Sequence, residues 1–413
     1  MSDKKYNFSN MHIIRAVACV GVVLTHARFV LWAGGQEYLK QYPVELWAWY
    51  EFPLFFLDLI TSLGRPRVFF FFILSGFFLQ YSGRKNFSVS SFLRARFLRL
   101  YPAYLAATLA ALAVFYVALT YINPLLATAS GREFNVLLYK AAADLSWTSL
   151  GHTLFFASRD SAFAATPHFW SMLHEVVFCL LFPIYHRLSI QGRVGLAGVV
   201  LLVGWTVNSL LIQSQLFFLL GMLFYDCLSR GYRLPYRFPK WTYMAAFLGL
   251  YLATYAMGKM GAHWLACLPM VVLAYLLFEF VLTQTIRVPR LCLLISKASY
   301  SIYLNHLWAL LLYYAVLSRL TGTVVFYSRW PYYLGALVAL ALSMPAYHLV
   351  EKRVGTYLFR LKQSASPPQL VVERLVAHTE LALVEAVASQ PVYERSAPVA
   401  QLTMLNQRAS VFR

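Results

Sequence analysis

Long runs of apolar residues, broken by short stretches rich in Lys and Arg, follow one another along this chain of 413 residues. An α-helix needs about twenty apolar residues to cross the hydrocarbon core of a bilayer. The segments that come near that length are 11–32, 68–81, 101–122, 169–188, 194–212, 216–228, 241–258, 264–285, 298–317 and 332–350. The pattern predicts an all-α fold, a polytopic transmembrane helical bundle of about ten spans.

A few apolar segments are less regular than the others. Segments 68–81 and 216–228 are short, so hydropathy defines their boundaries poorly. A further apolar segment, 46–63, contains Glu51 and Asp58, and carboxylates are costly to expose to lipid. For this segment we expect an interfacial or re-entrant helix at the outer face, and not an eleventh span.

Composition and charge support a membrane location. Hydrophobic residues make up 60% of the chain and charged residues only 12%, which leaves too little polar surface for a soluble protein of this length. The formal net charge of +19 could indicate a nucleic-acid partner, but the basic residues lie between apolar segments and form no stripe, so no nucleic acid is expected. Loops on the N-terminal side of the predicted bundle carry about twice as many Lys and Arg as the opposite loops, which predicts that both termini are cytoplasmic.

The same pattern divides the chain into two parts. Residues 1–362 contain every apolar segment and form the predicted membrane domain. Residues 363–413 are richer in Ser, Pro and Glu and predict a cytoplasmic tail, partly disordered or folded as an amphipathic helix near 370–388. The five cysteines lack the spacing of a metal site or of a disulfide framework, so no metal site is predicted.

The first apolar segment contains two polar residues, Arg15 and His26, where burial in lipid is costly. Eleven helical residues make three turns and about 20°, so both side chains share one helix face with roughly 16 Å of rise between them. One interpretation makes them a functional pair inside the bundle. In the other interpretation Arg15 reaches a lipid phosphate while His26 forms a hydrogen bond with a neighbouring helix. The spacing of the two residues favours neither interpretation over the other.

Other polar residues lie in or beside later spans. Glu175 needs a partner, and it could either orient an imidazole or end a structural salt bridge. Asp226 and Glu279 have no motif around them and are predicted to pair structurally. Arg96 and Arg99 share a helix face just below the third segment, where they could clamp a phosphate or simply anchor the helix on the basic side.

Several strings occur in an order that resembles the acyltransferase 3 family of bacterial membrane proteins. They are Arg15-x10-His26; FFFFILSGFFL at 69–79, with Ser75 and Gly76; Arg96-x-x-Arg99 followed by Tyr101-Pro102; Trp170-Ser171-x-Leu173-x-Glu175; 217–221; 299–306, ending in His306; and 347–353. Their ordered combination is fairly specific and covers about residues 8–362. Arg67-Val68 and Asn305 depart from the family pattern, without removing a proposed catalytic residue.

The resemblance implies transfer of an acyl group, commonly acetyl, from cytoplasmic acyl-CoA to a hydroxyl of an exopolysaccharide, lipopolysaccharide or other glycan. By the same resemblance, acyl-CoA, commonly acetyl-CoA, would be the co-substrate, and no bound cofactor is expected. The protein would lie among the lipids of the bacterial inner membrane.

The resemblance also assigns roles to individual residues. His26 is the expected catalytic residue, as general base or as carrier of the acyl group. Glu175 is the second catalytic group, which would steer the acceptor or tune an imidazole. Donor binding would fall to three arginines: Arg15, Arg96 and Arg99. Four residues would support the motifs: Ser75, Trp170, Ser171 and His306.

Two other classes of protein would use similar residues. A transporter or a flippase of a lipid-linked glycan also needs intramembrane Arg, His and Glu along an aqueous path. A non-catalytic membrane scaffold is the third interpretation. Only the enzyme would convert labelled acetyl-CoA and a glycan into a labelled ester and free CoA.

Overall fold

In the computed structural model, the described residues are 10–61, 65–83, 87–126, 132–143, 145–156, 167–207, 209–231, 239–260, 267–283 and 286–364. Within these ranges the chain forms α-helices and no strand, which confirms the all-α prediction. The helices are α1 (Met11–Leu31), α2 (Gly35–Gln41), α3 (Glu51–Thr61), α4 (Arg65–Ser82), α5 (Val89–Leu126), α6 (Glu133–Ala143), α7 (Trp147–Leu154), α8 (Trp170–Arg187), α9 (Ile190–Val207), α10 (Leu210–Ser229), α11 (Lys240–Lys259), α12 (Cys267–Thr283), α13 (Arg290–Lys297), α14 (Ser299–Thr321), α15 (Trp330–Ala346) and α16 (Lys352–Ser364). A 3-10 turn at Pro167–Phe169 precedes α8, and a π-helical turn at Tyr347–Glu351 follows α15.

Every predicted span overlaps a helix, and six helical stretches within the described ranges are long and apolar enough to cross a membrane. These six are Met11–Leu31, Val89–Ile122, Pro167–Arg187, Leu210–Ser229, Ser299–Thr321 and Trp330–Leu358. Shorter apolar helices are Arg67–Ser82, Ile190–Gly204 and Leu268–Leu282. The protein is therefore a helical membrane protein, while the count of ten spans stays a prediction.

The boundaries predicted near residue 210 are wrong. Hydropathy extends one segment to residue 212 and starts the next at 216, whereas α9 ends at Val207 and α10 begins at Leu210. Ser209 has an extended backbone, with φ −93° and ψ 117°, immediately before α10. Serine favours such a position because its side chain competes with helical hydrogen bonds. As a result α10 has 20 residues, an ordinary length for a span.

Two glycines bring α4 and α10 into very close contact. A Cβ built on Gly76 would lie 2.0 Å from the carbonyl oxygen of Phe218, and one built on Gly221 would lie 2.1 Å from that of Ile73. Any side chain at either position would therefore push the helices apart. Aromatic rings fill the rest of the interface, as in the stacked pair Phe72 and Phe218, whose centroids are 4.5 Å apart.

Helix α1 packs against α14, α15, α13 and α4. Its first residues, Met11 and Ile14, belong to an apolar core that also contains residues of α4, α8, α10 and α12. Later residues, such as Cys19 and Val23, belong to a second core with α5, α14 and α15. Helix α1 thus lies where the two cores meet, and its polar residues have protein neighbours on several sides.

The carboxylate of Asp226 is held in a buried network. It forms a salt bridge with Arg193, with 2.7 Å between Nη2 and Oδ2, and accepts a hydrogen bond from Gln80 at 2.9 Å. His186 in turn donates to the side-chain oxygen of Gln80 at 2.9 Å. We call Asp226, Arg193, Gln80 and His186 the Asp226 network. The structural pairing predicted for Asp226 is confirmed. For Glu279, which is buried in α12, it stays a prediction.

The helix predicted around Glu51 and Asp58 exists as α3, and both carboxylates contact one arginine. Arg329, just before α15, forms ion pairs with Glu51 and with Asp58, the latter at 2.6 Å between Nε and Oδ2. Tyr332 donates to the second oxygen of Asp58, and Tyr38 donates to Glu51 at 2.9 Å. We call these five residues the Arg329 network. It offsets the cost of burying two carboxylates and ties α3 to α15.

Residues 355–413 form a second unit, of which the structure describes residues up to Ser364 in α16. The tail predicted at 363–413 lies outside the described residues beyond Ser364, and so does its amphipathic stretch near 370–388. The division into a membrane domain and a tail therefore stays a prediction.

Candidate active site

A cavity of about 160 Å³ lies between α1, α4, α5, α8 and α14. Most of the site residues predicted from the sequence line it: Arg15, Ser75, Arg96, Arg99, Ser171 and Glu175. Polar groups of Ser299, Tyr300 and Tyr303 complete the wall, and phenylalanines of α4 supply much of its apolar part. The other three predicted residues, His26, Trp170 and His306, are not among the lining residues.

Three arginines give the cavity its charge. The Nε of Arg15 donates a hydrogen bond to Oγ of Ser299 at 2.7 Å. Arg96 is half-buried and Arg99 is exposed. All three guanidinium groups lie within electrostatic range of the Glu175 carboxylate. Glu351 also lies within electrostatic range of Arg15. Yet the ion pairs found among the described residues include none of these arginines, so the three cations line the cavity without a direct salt bridge.

Glu175 is held by a hydroxyl group of another helix. The Oγ of Ser75, in α4, donates to Oε1 of Glu175, in α8, at 2.7 Å. The sequence left two roles open for this carboxylate, the orientation of an imidazole or a structural salt bridge. Within the described part of the chain its hydrogen bond is to Ser75 and it forms no ion pair, so its direct partner is a hydroxyl group and its catalytic role stays a prediction.

Three histidines from separate elements meet close to the cavity, and we call them the histidine cluster. In α1, Nδ1 of His26 lies 3.0 Å from Nε2 of His306 in α14. His168, in the turn before α8, has its ring centroid 4.7 Å from that of His306 and 6.2 Å from that of His26. The His168 and His306 side chains are buried, while His26 is half-buried.

Ser171 and Tyr303 connect the cavity with the histidine cluster. Both residues line the cavity, and their hydroxyl groups hydrogen-bond to each other. The carbonyl oxygen of His168 lies within hydrogen-bond distance of both hydroxyls, 2.8 Å from that of Tyr303 and 3.2 Å from that of Ser171, and the two hydroxyl hydrogens serve these three contacts. Trp170 packs edge-on against Phe72, with centroids 6.3 Å apart, and so fixes α8 against α4. Both members of the Trp170-Ser171 motif thus help to place the turn that carries His168.

Sequence reasoning did not single out four residues that organise this region: His168, Tyr303, Ser299 and Glu351. Each lies inside or beside a string that matched the family, and that was the available signal. Glu351 accepts hydrogen bonds from the backbone nitrogen of Ser301, at 3.0 Å, and from its hydroxyl, at 2.6 Å. A carboxylate is favourable there because the first turn of a helix has unpaired N–H groups and a positive dipole end.

Arg67, one of the departures from the family pattern, lies against α1 close to His26. Its guanidinium donates to the carbonyl oxygen of Gly21 at 2.7 Å and hydrogen-bonds to Thr25. A Cβ built on Gly21 would lie 2.8 Å from Nε of Arg67, so the glycine makes room for the arginine. The departure therefore adds a cross-link between α4 and α1 near the histidine cluster and leaves His26 in place.

The fold and the cationic cavity define a helical membrane protein with a polar site inside its bundle. The chain belongs to the acyltransferase 3 family, because the family model, described as an acyltransferase domain, matches residues 8–348. It is also similar to acyltransferase MdmB from Streptomyces mycarofaciens, with 34% identity over 129 residues. That match covers 31% of this chain and 30% of the relative, less than a third of either length. No solved structure matches the chain.

Proposed function

We propose that this protein is a membrane-bound O-acyltransferase that moves an acyl group, such as acetyl, from cytoplasmic acyl-CoA to a hydroxyl of an exopolysaccharide, lipopolysaccharide or other glycan. The observation that carries the proposal is the cavity in which Arg15, Arg96 and Arg99 lie without a salt bridge to any described carboxylate. CoA carries several phosphate groups, and the guanidinium fork matches phosphate geometry. Family membership supports acyl transfer, and the charge of the cavity supports a polyanionic donor.

His26 is the proposed general base. Its imidazole takes the proton of the acceptor hydroxyl while the hydroxyl oxygen bonds to the carbonyl carbon of the thioester. The tetrahedral intermediate then breaks its C–S bond, and the CoA thiolate that leaves receives the proton from His26. The products are an ester and free CoA, and His26 returns to its neutral form. The contacts of Ser171 and Tyr303 with His168 support a short path from the cavity to the histidine cluster.

Glu175 is proposed to steer the acceptor. Its carboxylate repels the phosphates of the donor and so keeps them at the arginines. One oxygen accepts from Ser75, and the other, which no hydrogen bond found among the described residues uses, can accept from a sugar hydroxyl. This role differs from direct support of an imidazole, because the hydrogen bond observed for Glu175 is to Ser75.

We further propose that the bundle has ten spans in a bacterial inner membrane and that both termini are cytoplasmic. The helices that coincide with the predicted spans support the count, and the basic loops support the orientation. Reporter fusions after residue 364 test the orientation. Activity of a cytoplasmic reporter is expected there, and activity of a reporter that works only outside the cytoplasm would overturn it.

The decisive experiment uses purified full-length protein, radiolabelled acetyl-CoA and a panel of bacterial glycans. We expect labelled ester and free CoA in equal amounts, and we expect His26→Ala to lower the rate by at least about 100-fold, the usual contribution of a general base. His186→Ala is the matched control, because it removes another partly buried histidine that lies in the Asp226 network. Wild-type rates in folded His26→Ala protein would overturn the role of His26. Transport of a glycan without ester formation would favour a transporter.

A further inference from the structure

We infer that His306 is a positioning residue for His26: its Nε2 accepts a hydrogen bond from Nδ1–H of His26, which leaves Nε2 of His26 as the basic nitrogen. The inference rests on the proposed function, since the basic nitrogen matters only if His26 takes a proton. The positions of the hydrogen-bond acceptors around the His26 and His306 rings support the inference.

The protonation of His306 follows from its backbone contact. Its Nδ1 lies 3.0 Å from the carbonyl oxygen of Ile302, one turn earlier in α14. A carbonyl oxygen can only accept, so Nδ1 of His306 carries the hydrogen. In a neutral ring Nε2 is then unprotonated and can serve as an acceptor.

The Nδ1 atom of His26 also lies beside hydrogen-bond acceptors. Its Nδ1 lies 3.1 Å from the carbonyl oxygen of Val22 and 3.0 Å from Nε2 of His306. Both neighbours are acceptors, so Nδ1 of His26 carries the hydrogen and shares it between them. The opposite tautomer would place a lone pair of His26 against the Val22 oxygen. The lone pair of neutral His26 is therefore on Nε2.

Neighbouring side chains hold the ring of His306 in place. The His306 side chain is fully buried, and its ring centroid lies 4.7 Å from that of His168 and 5.9 Å from that of Tyr303. The ring of His168 is also buried, and its centroid lies 5.3 Å from that of Tyr303. A ring that is packed in this way loses little freedom when it accepts the hydrogen bond, so it can set the orientation of His26 before substrate binds.

The pairing has a chemical consequence in the transfer step. When Nε2 of His26 takes the proton of the acceptor hydroxyl, the ring becomes an imidazolium with N–H groups at both nitrogens. The Nδ1–H bond to His306 is then charge-assisted and stronger than in the neutral state. His306 thus stabilises the transition state more than the ground state, which should raise kcat and leave the KM for acyl-CoA nearly unchanged.

The first test measures the tautomer without any substrate. Purified wild-type protein labelled with nitrogen-15 in its histidines is compared by solid-state NMR with His26→Asn, which identifies the signals of His26. We expect hydrogen on Nδ1 and a bare Nε2 for His26 in the wild type. A hydrogen on Nε2 of His26 would overturn the inference, whatever the enzyme activity.

The second test compares two replacements of His306. His306→Leu removes the acceptor and should lower kcat about 100-fold, whereas His306→Gln keeps an oxygen acceptor at a similar reach and should stay within about 10-fold of the wild type. The KM for acetyl-CoA should change less than about 3-fold in both variants. His186→Leu, in the Asp226 network, is the control for loss of a histidine that bonds to another helix.

Equal losses in His306→Leu and His306→Gln would show a packing role and overturn the inference, as would an unchanged kcat in His306→Leu. These failures differ from failure of the proposed function. If the proposed function fails, wild-type protein makes no ester, or His26→Ala retains full activity. The NMR measurement on the resting protein still determines the tautomer of His26 in that case.

Discussion

Two groups of arginines in this protein differ in what lies opposite them. Arg193 and Arg329 have side chains that are only 6% and 8% exposed, and they form ion pairs with one and two carboxylates respectively. Arg15, Arg96 and Arg99 line the cavity, and the ion pairs found in the described part of the chain include none of them. The residue type is the same, and the difference is the tertiary partner.

The comparison separates structural arginines from candidate binding arginines. A buried arginine with a carboxylate partner forms a closed pair, and removal of either partner leaves an uncompensated charge. An arginine that faces a cavity without such a partner remains available to an anionic ligand. Polar groups at membrane depth are costly, so the retention of an arginine there without a carboxylate partner favours a functional role.

The largest effect is expected for the arginines that are paired with carboxylates. Arg329→Ala leaves Asp58 and Glu51 in the Arg329 network without a cation, so we expect it to lower the free energy of unfolding by about 3–5 kcal/mol. Unfolding in detergent, followed by circular dichroism, measures the change. Arg319→Ala, at an exposed position of α14, should change it by less than about 0.5 kcal/mol. Equal stability of the two variants would mean that the network is not structural.

An intermediate effect is expected for the arginines that line the cavity. Arg99→Glu reverses a charge at the cavity and should raise the KM for acyl-CoA about 10-fold to 100-fold, with about the wild-type free energy of unfolding. Arg94→Glu is the matched control, because Arg94 is exposed on the same helix and is not among the lining residues. An unchanged KM in Arg99→Glu would remove Arg99 from donor binding.

The smallest effect concerns Glu175, the carboxylate that lines the cavity beside Arg15, Arg96 and Arg99. Glu175→Gln keeps an acceptor for Ser75 but removes the negative charge, so the donor phosphates should bind more tightly and the KM for acyl-CoA should fall about 2-fold to 5-fold. Glu133→Gln, on the exposed face of α6, should leave the KM unchanged. A higher KM in Glu175→Gln would show that this carboxylate supports donor binding and does not oppose it.

Local patterns in the sequence predicted much of the site, because hydropathy and the helical repeat depend on neighbouring residues. Arg15 and Glu175 were identified as polar groups inside apolar segments, and Arg96 and Arg99 by their shared helix face. The structure brings all four to one cavity. The contacts of Gly76 could not be predicted in this way, since its partner, the Phe218 carbonyl, belongs to a distant helix.

The sequence by itself determined the all-α membrane fold, the positions of the buried polar residues and, through ordered motifs, the family. Only the tertiary structure decided their partners. Arg15 meets Ser299 across 284 positions of the chain, and His26 meets His306 across 280. Helical periodicity specifies which face a residue occupies, but not which helix will pack against that face. For that physical reason the pairing of arginines with carboxylates, or with an open cavity, is a property of the packed bundle.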